Sequence, residues 1–320
     1  MTDTRTLYNS IPAKARLTIF SLFFAGLAVI ISMIYILTFN AANQITSDTD
    51  DKLELLNRSL AISTQTWLNY QVKALEQLTR NPDIISMNPA RQRPHLQNMA
   101  RTYGHMYLVS TTDLQGMNIA RSDDISMTDY KDRPWFQGAK SGHTTFQSLI
   151  SRTTTQPALV VSVPIKTPNG SIVGVAMFAA HLTELSRDVQ TSSIGKTGYA
   201  YVIDDHNRVI LHPDKDLTTK FQDFSQDPPI AALRNGTRGI FEYTDPKGVT
   251  WRTYLSVLNN GWGIVVKQKQ EETLAPLNDF QHIAIAILLL TPIFLLLYSW
   301  LMIRHALKPI IESSEPSGHQ

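Results

Sequence analysis

The sequence contains no cysteine. Disulfides, thiolate nucleophiles and cysteine-ligated zinc or iron–sulfur centres are therefore excluded, while the compartment stays open. Charge of either sign is nearly balanced, with 29 Lys+Arg against 27 Asp+Glu and no sustained basic run. A dedicated nucleic-acid binder is excluded on that ground. The chain also lacks an HExxH zinc motif, a phosphate-binding P-loop, a GxSxG elbow and any carboxylate pair in a recognisable setting. Ser, His and Asp are plentiful, but abundance is not a triad, and the sequence reads as a non-enzyme that needs no cofactor. A membrane-anchored hydrolase and a passive assembly protein are the lesser alternatives.

What the sequence does have is two long apolar runs. Its averages, 43% hydrophobic and a mean hydropathy of −0.12, are those of a soluble protein and conceal them. Leu17–Phe39 holds 23 residues without a charge. As a helix it is about 34 Å long, against a bilayer hydrocarbon core of about 30 Å. It is too long for the apolar core of a signal peptide and reads as an uncleaved anchor. Ile283–Ile303 is the second run, with Pro292 in mid-span and Tyr298 and Trp300 toward one end, the place of interfacial aromatics. Arg5, Lys14 and Arg16 precede the first run, and Arg304 and Lys308 follow the second. Positive flanks predict both ends in the cytoplasm, and the intervening segment outside the membrane.

Between the runs the pattern changes twice. Ala41–Leu78 has no proline or glycine, and Leu53, Leu56, Leu60, Trp67, Leu75 and Leu78 recur at helical spacing, with Ala61, Ile62, Leu68 and Val72 widening the stripe. One long helix is predicted, and a helix of that length must pack on a partner helix or on the domain that follows. After Asn81–Pro82 and Pro89–Pro94 short strands are predicted at His105–Ser110, Gly116–Ala120, Thr144–Leu149, Ala158–Pro164 and Ser171–Ala179. A short helix begins near Pro134, and a helical piece spans Leu182–Val189. A second series follows at Tyr199–Ile203, Arg208–Leu211, Gly239–Tyr243, Thr250–Val257 and Gly263–Lys267, punctuated by turn residues such as Asn169–Gly170 and Asn259–Asn260–Gly261. The expected organisation is a cytoplasmic lead (1–16), a span (17–39), a long helix (40–80), a membrane-distal module (81–190), a membrane-proximal module (191–282), a second span (283–303) and a cytoplasmic tail (304–320).

Asp132–Arg133–Pro134–Trp135–Phe136, with Tyr130 before it, resembles the signature of the distal module of double Cache extracellular sensor domains. Asn169–Val175, Gly195–Asp204 and Leu211–His212–Pro213–Asp214 are similar to later motifs of that family, in order. The resemblance covers about residues 41–282. It implies an α+β fold of two PAS-like modules with antiparallel sheets on a long N-terminal helix, and sensing of an extracellular small molecule with signalling across the membrane as a homodimer. Family outputs are chemotaxis, histidine-kinase or cyclic-nucleotide-type domains. Here only Arg304–Gln320 follows the second span, with Ala306–Ile310 similar to the opening of a HAMP linker. The chain is expected to be either the sensing half of a larger receptor or a stand-alone sensor with a separate partner.

The resemblance places Tyr130, Arg133, Trp135 and Phe136 in the ligand pocket, and Asp123 is the nearby carboxylate. Arg133 offers a planar fork suited to a carboxylate, and the rings offer apolar walls. The competing reading without the family is that Arg133 pairs with Asp132 or a neighbouring acid and Trp135 is core. Family members that hold free amino acids place an aspartate at the position of Ala179, so its absence predicts an organic acid or other small metabolite rather than an amino acid. His212 and Asp214 are too few for a metal site unless Asp204 or His206 converges on them, and a structural turn is the expected role.

Overall fold

The computed structural model describes residues 13–151, 154–182, 189 and 193–312. It divides into two units, Thr49–Glu272 and a second made of the chain on either side. The expected helix at Leu182–Val189 falls largely outside the described residues. Helix α1 runs unbroken from Ala13 to Thr79, and the last helix, α7, from Gln270 to Glu312. Both are long and apolar enough to cross a membrane, and their apolar stretches are exposed.

In the Thr49–Glu272 unit, α1 buries one face. Leu53, Leu60, Leu68 and Leu75 are inaccessible or nearly so, and Asn57, Thr64 and Gln71 fall on the same stripe. Steps of three and four residues keep these positions in line. Ile62, expected within the stripe, is instead 61% exposed, and Leu55 and Tyr70 nearby are exposed too. It lies midway between Leu60 and Thr64, where the helical turn carries a side chain to the far face.

Two short helices follow, α2 (Pro82–Ile85) and α3 (Pro89–Thr102). The second fills the stretch before the first predicted strand, to which the sequence reading assigned no element. Pro89 sits at the first helical position, where its missing N–H costs nothing, and the Asn88 side chain accepts from the amides of Ala90 and Arg91. Pro94 lies inside the helix at the expense of one backbone bond.

The distal sheet holds β1 (Met106–Thr112), β2 (Asn118–Arg121), β3 (Thr145–Ile150), β4 (Pro157–Lys166) and β5 (Ile172–Ala180), with α4 (Pro134–Lys140) between β2 and β3. Its order is β2-β1-β5-β4-β3, all antiparallel. The proximal sheet holds β6 (Tyr199–Ile203), β7 (Val209–Leu211), β8 (Gly239–Thr244), β9 (Thr250–Val257) and β10 (Gly263–Lys269), in the order β7-β6-β10-β9-β8. Helices α5 (Lys215–Thr219) and α6 (Pro228–Arg234) lie between β7 and β8. The two sheets thus repeat one topology. One face of each joins a single apolar cluster running along α1, which includes Val109, Val161 and Phe178 of the distal sheet and Val202, Ile264 and Val266 of the proximal one. The opposite faces carry separate clusters, the distal one with α4 and the proximal one with α6.

Candidate functional site

The α4 side of the distal sheet collects the sequence-predicted rings. Hairpin β1–β2 sets their position. Asp113 Oδ1 accepts from the amides of Gln115 and Met117, and Gly116 takes a left-handed φ of 97°. A Cβ at Gly116 would stand 2.6 Å from the Lys131 amide. Only glycine allows that approach, which brings the loop back along β2, where the Tyr130 amide donates to the Gly116 carbonyl at 2.8 Å. The chain then enters α4 with Pro134 at its first position. Trp135 is pinned by its backbone: its amide donates to Gln147 Oε1, and its carbonyl accepts from Ser162 Oγ at 2.9 Å and Thr145 Oγ1 at 3.1 Å.

Tyr130, Trp135 and Phe136 are brought together and buried, with Tyr130 and Trp135 ring centres 5.1 Å apart and Trp135 and Phe136 at 6.2 Å, edge to face. Ala179 lies in the same cluster beside its cross-strand neighbours Leu108 and Val160. Its Cβ therefore faces the rings. Arg133 is half-buried at the position that precedes α4, and its side chain does not cap the helix. Asp123 is reached through a residue that sequence reasoning missed.

That residue is Arg121. Its side chain is 1% exposed, and it grips Asp123 with two bonds, Nε to Oδ1 at 2.7 Å and Nη2 to Oδ2 at 2.8 Å. Its Nη1 donates to Tyr130 Oη at 3.1 Å and to Asn118 Oδ1. Burial works against the guanidinium charge, but the Asp123 hydrogen bonds and the neighbouring Tyr130 hold its pKa above the ordinary value. The predicted strand ended at Ala120. One more step of alternation was the available signal, since Arg121 opposite Ser110 points to the same face as Leu108. Tyr107 was missed as well. A register break between Met106 and Leu108 lets it join the ring cluster. Its hydroxyl is buried, and that burial pushes its pKa up against hydrogen bonding from Ser151 and Thr154.

In the proximal module, His212 stands among Tyr199, Tyr201 and Phe224, at ring-centre distances of 5.3, 5.8 and 6.4 Å. Its Nδ1 accepts from the Asp214 amide at 2.8 Å, and the Asp214 carboxylate caps α5. This turn occupies His212 structurally. Asp204, Asp205 and His206 do converge, with ligating atoms within 4.8 Å of one another, but His212 is not among them. Arg208 already holds Asp204 at 2.6 Å. Burial, with the charge of Lys267 nearby, pulls the His212 pKa from 6.5 to about 4, against the opposing pull of Asp214. A depressed folded pKa means that the neutral ring stabilises the fold fully above pH 6.5, and that this contribution is lost as pH falls toward 4. The melting temperature of the wild type is expected to fall more steeply over that window than that of His212→Gln, which keeps an acceptor but does not titrate. Parallel profiles would remove His212 as the cause.

A family model described as Cache domain matches residues 41–277. The methyl-accepting chemotaxis protein PctB of Pseudomonas aeruginosa is 24% identical over 309 residues, covering 90% of this chain and 46% of PctB. PscA of Pseudomonas syringae is 19% identical over 296 residues, with 89% and 46% covered. The chain spans about half the length of these curated relatives. Among solved structures, the ligand-binding domain of the Pseudomonas fluorescens chemoreceptor CtaA with L-isoleucine has a TM-score of 0.59 at 23% identity, covering 74% of this chain and 99% of that one. That of Pseudomonas aeruginosa PctC with GABA has a TM-score of 0.56 at 19% identity, covering 68% and 99%. These structures correct the expectation that Ala179 disfavours amino acids. Domains of this fold hold an α-amino acid in one case and GABA, whose amine lies three carbons from its carboxylate, in the other.

Proposed function

The chain belongs to the Cache domain family, and on that premise we propose that it is the sensing and membrane-crossing part of a chemotaxis-type receptor whose distal module takes up a free amino acid. The observation that carries this reading is the burial of Tyr130, Trp135 and Phe136 on the α4 side of the distal sheet, beside a neutralised Arg121–Asp123 pair. Arg133 receives the ligand carboxylate as a planar, permanently charged fork. Trp135 and Phe136 wall the side chain. Asp123, with about a fifth of its side chain exposed, faces the ammonium. Amino acids in the solved relatives of this fold support the ligand class.

Two continuous connections carry a shift of the distal module toward the membrane. One is α1, which passes without a break from the module's buried stripe into the Leu17–Phe39 run. The other begins where β10 gives way to α7. There Glu272 accepts from the amides of Lys196 and Thr197 at 2.6 and 2.9 Å. Gly195 is required beside it, because its φ is 61° and a Cβ would strike the Glu272 carboxylate. The start of α7 is thereby tied to the loop that opens the proximal sheet.

Calorimetric titration of the full chain in nanodiscs with the common L-amino acids and GABA tests the reading. At least one is expected to bind saturably and to raise the melting temperature, with about 2.7 kcal/mol of stabilisation at a hundredfold excess over Kd. Arg133→Ala should weaken that ligand at least tenfold. A panel without a binder, or one in which Arg133→Ala weakens no ligand, would refute it.

A further inference from the structure

The repeated topology allows the two modules to be compared position by position. Asp113 and Asp204 open equivalent hairpins, each bonding the amides two and four residues on. The strand before each hairpin ends at Thr112 and at Ile203, opposite Val175 and Gly263. Four residues earlier, Leu108 lies opposite Ala179, and Tyr199 lies opposite Lys267. Lys267 therefore holds in the proximal sheet the place that Ala179 holds in the distal one. The helices on these faces correspond too. Both begin with proline after an extended residue whose side chain does not cap the helix, Arg133 before α4 and Asp227 before α6. The distal module has a cation at the helix and nothing charged on the strand. The proximal module has an anion at the helix and a cation on the strand.

Lys267 is only 8% exposed. Among the described residues its Nζ has one hydrogen-bond acceptor, Tyr243 Oη at 2.9 Å. It lies over Trp251 at 4.5 Å, Tyr199 at 5.1 Å and Tyr201 at 5.7 Å. Cation–π contact offsets part of the desolvation of an ammonium but leaves two of its three N–H donors without an acceptor. Asp227 accepts from Tyr201 Oη through Oδ2 at 2.7 Å, and its other oxygen is unused among the described residues. Asp245 is fully engaged by the Trp251 indole and the amides of Lys247 and Val249. Tyr199, Tyr243 and Asp227 are half-buried, so the cage meets solvent on one side.

We propose that the proximal module is a second ligand site, built for a small zwitterion whose carboxylate binds Lys267 Nζ and whose ammonium binds Asp227. The two unused donors and the unused oxygen supply both halves of the recognition. The surrounding rings exclude water, which strengthens charge-assisted bonds. They also restrict the ligand to a small amino acid. The polarity is the reverse of the distal arrangement, in which the helix residue is the cation. The assignment does not depend on the distal reading.

The test is calorimetric titration of the full chain in nanodiscs with L-serine, L-leucine and GABA, in the wild type, Arg133→Ala, Lys267→Met and Asp227→Asn. Met keeps the apolar stem of Lys267 within the rings, and Asp227→Asn changes only charge at a half-exposed position, so one variant remains informative where the other folds poorly. In the Arg133→Ala background at least one probe is expected to retain saturable binding, weakened tenfold or more by Lys267→Met or by Asp227→Asn. Isotherms unaltered by either proximal variant would overturn the proposal. Loss of all binding on Arg133→Ala alone would overturn it while sparing the distal site. Binding lost only in the proximal variants would support it and refute the distal one.

Discussion

Trp135→Ala is expected to destabilise the sensor by about 3–5 kcal/mol, the range for deleting a buried indole. Trp135 is 1% exposed and touches Tyr130 on one side and Phe136 on the other. Its backbone is fixed independently of its ring, through Gln147, Ser162 and Thr145. The main chain therefore cannot follow the side chain into the void, and the cavity persists. For a domain of this size the loss corresponds to a fall of roughly 6–20 °C in melting temperature. Ligand binding should fail even at temperatures where the variant is folded, because the wall is gone. Trp135→Phe fills part of the space and should recover more than half of the stability. Melting curves of both variants check the argument, and an alanine variant within about 1 kcal/mol of wild type would show that the region collapses around α4 instead.

The contrast between what could be read from the letters and what could not has physical causes. All ten strands were legible, because alternation and turn residues are local. Tyr199–Ile203 and Thr250–Val257 have the predicted bounds, and the others differ by a few residues at most. The helices α2, α3, α5 and α6 were not anticipated. Pro89 and Pro228 look like breakers in a sequence but stand at first helical positions, where the ring is preorganised. At the site, Tyr130, Trp135 and Phe136 carried a recognisable motif. Arg121 and Lys267 did not, because the direction of each side chain is set by the strand's register against neighbours far away in sequence. The meaning given to Ala179 failed for a different reason. The structure puts Ala179 on the ring-facing side, but one absent carboxylate was taken to decide a ligand class.

Asn57→Leu is expected to cost about 2–4 kcal/mol, although the two side chains are similar in size. Asn57 is 1% exposed on the buried stripe of α1. Its amide donates to the carbonyls of Tyr254 and Ile264, both at 3.1 Å, and its Oδ1 accepts from Ser256 Oγ at 2.5 Å. Leucine removes three bonds worth about 1 kcal/mol each and leaves buried partners unmet. About four turns on, Gln71 Oε1 meets His105 Nε2 at 3.0 Å at the start of the distal module. One amide side chain thus engages each module along a stripe that is mainly leucine, and leucines alone tolerate a slipped register. A polar group among apolar ones fixes the register at some cost in stability. The consequence for Asn57→Leu is specific. Amide exchange should accelerate in β9, β10 and the adjoining turns of α1, while β1–β5 and binding at Trp135 stay as in the wild type. Exchange unchanged in β9 and β10 would show that leucine packing alone seats the helix. If the local acceleration is found, the proximal sheet is held on the membrane-entering helix by a hydrogen-bonded clamp, which a shift of that helix along its axis must strain.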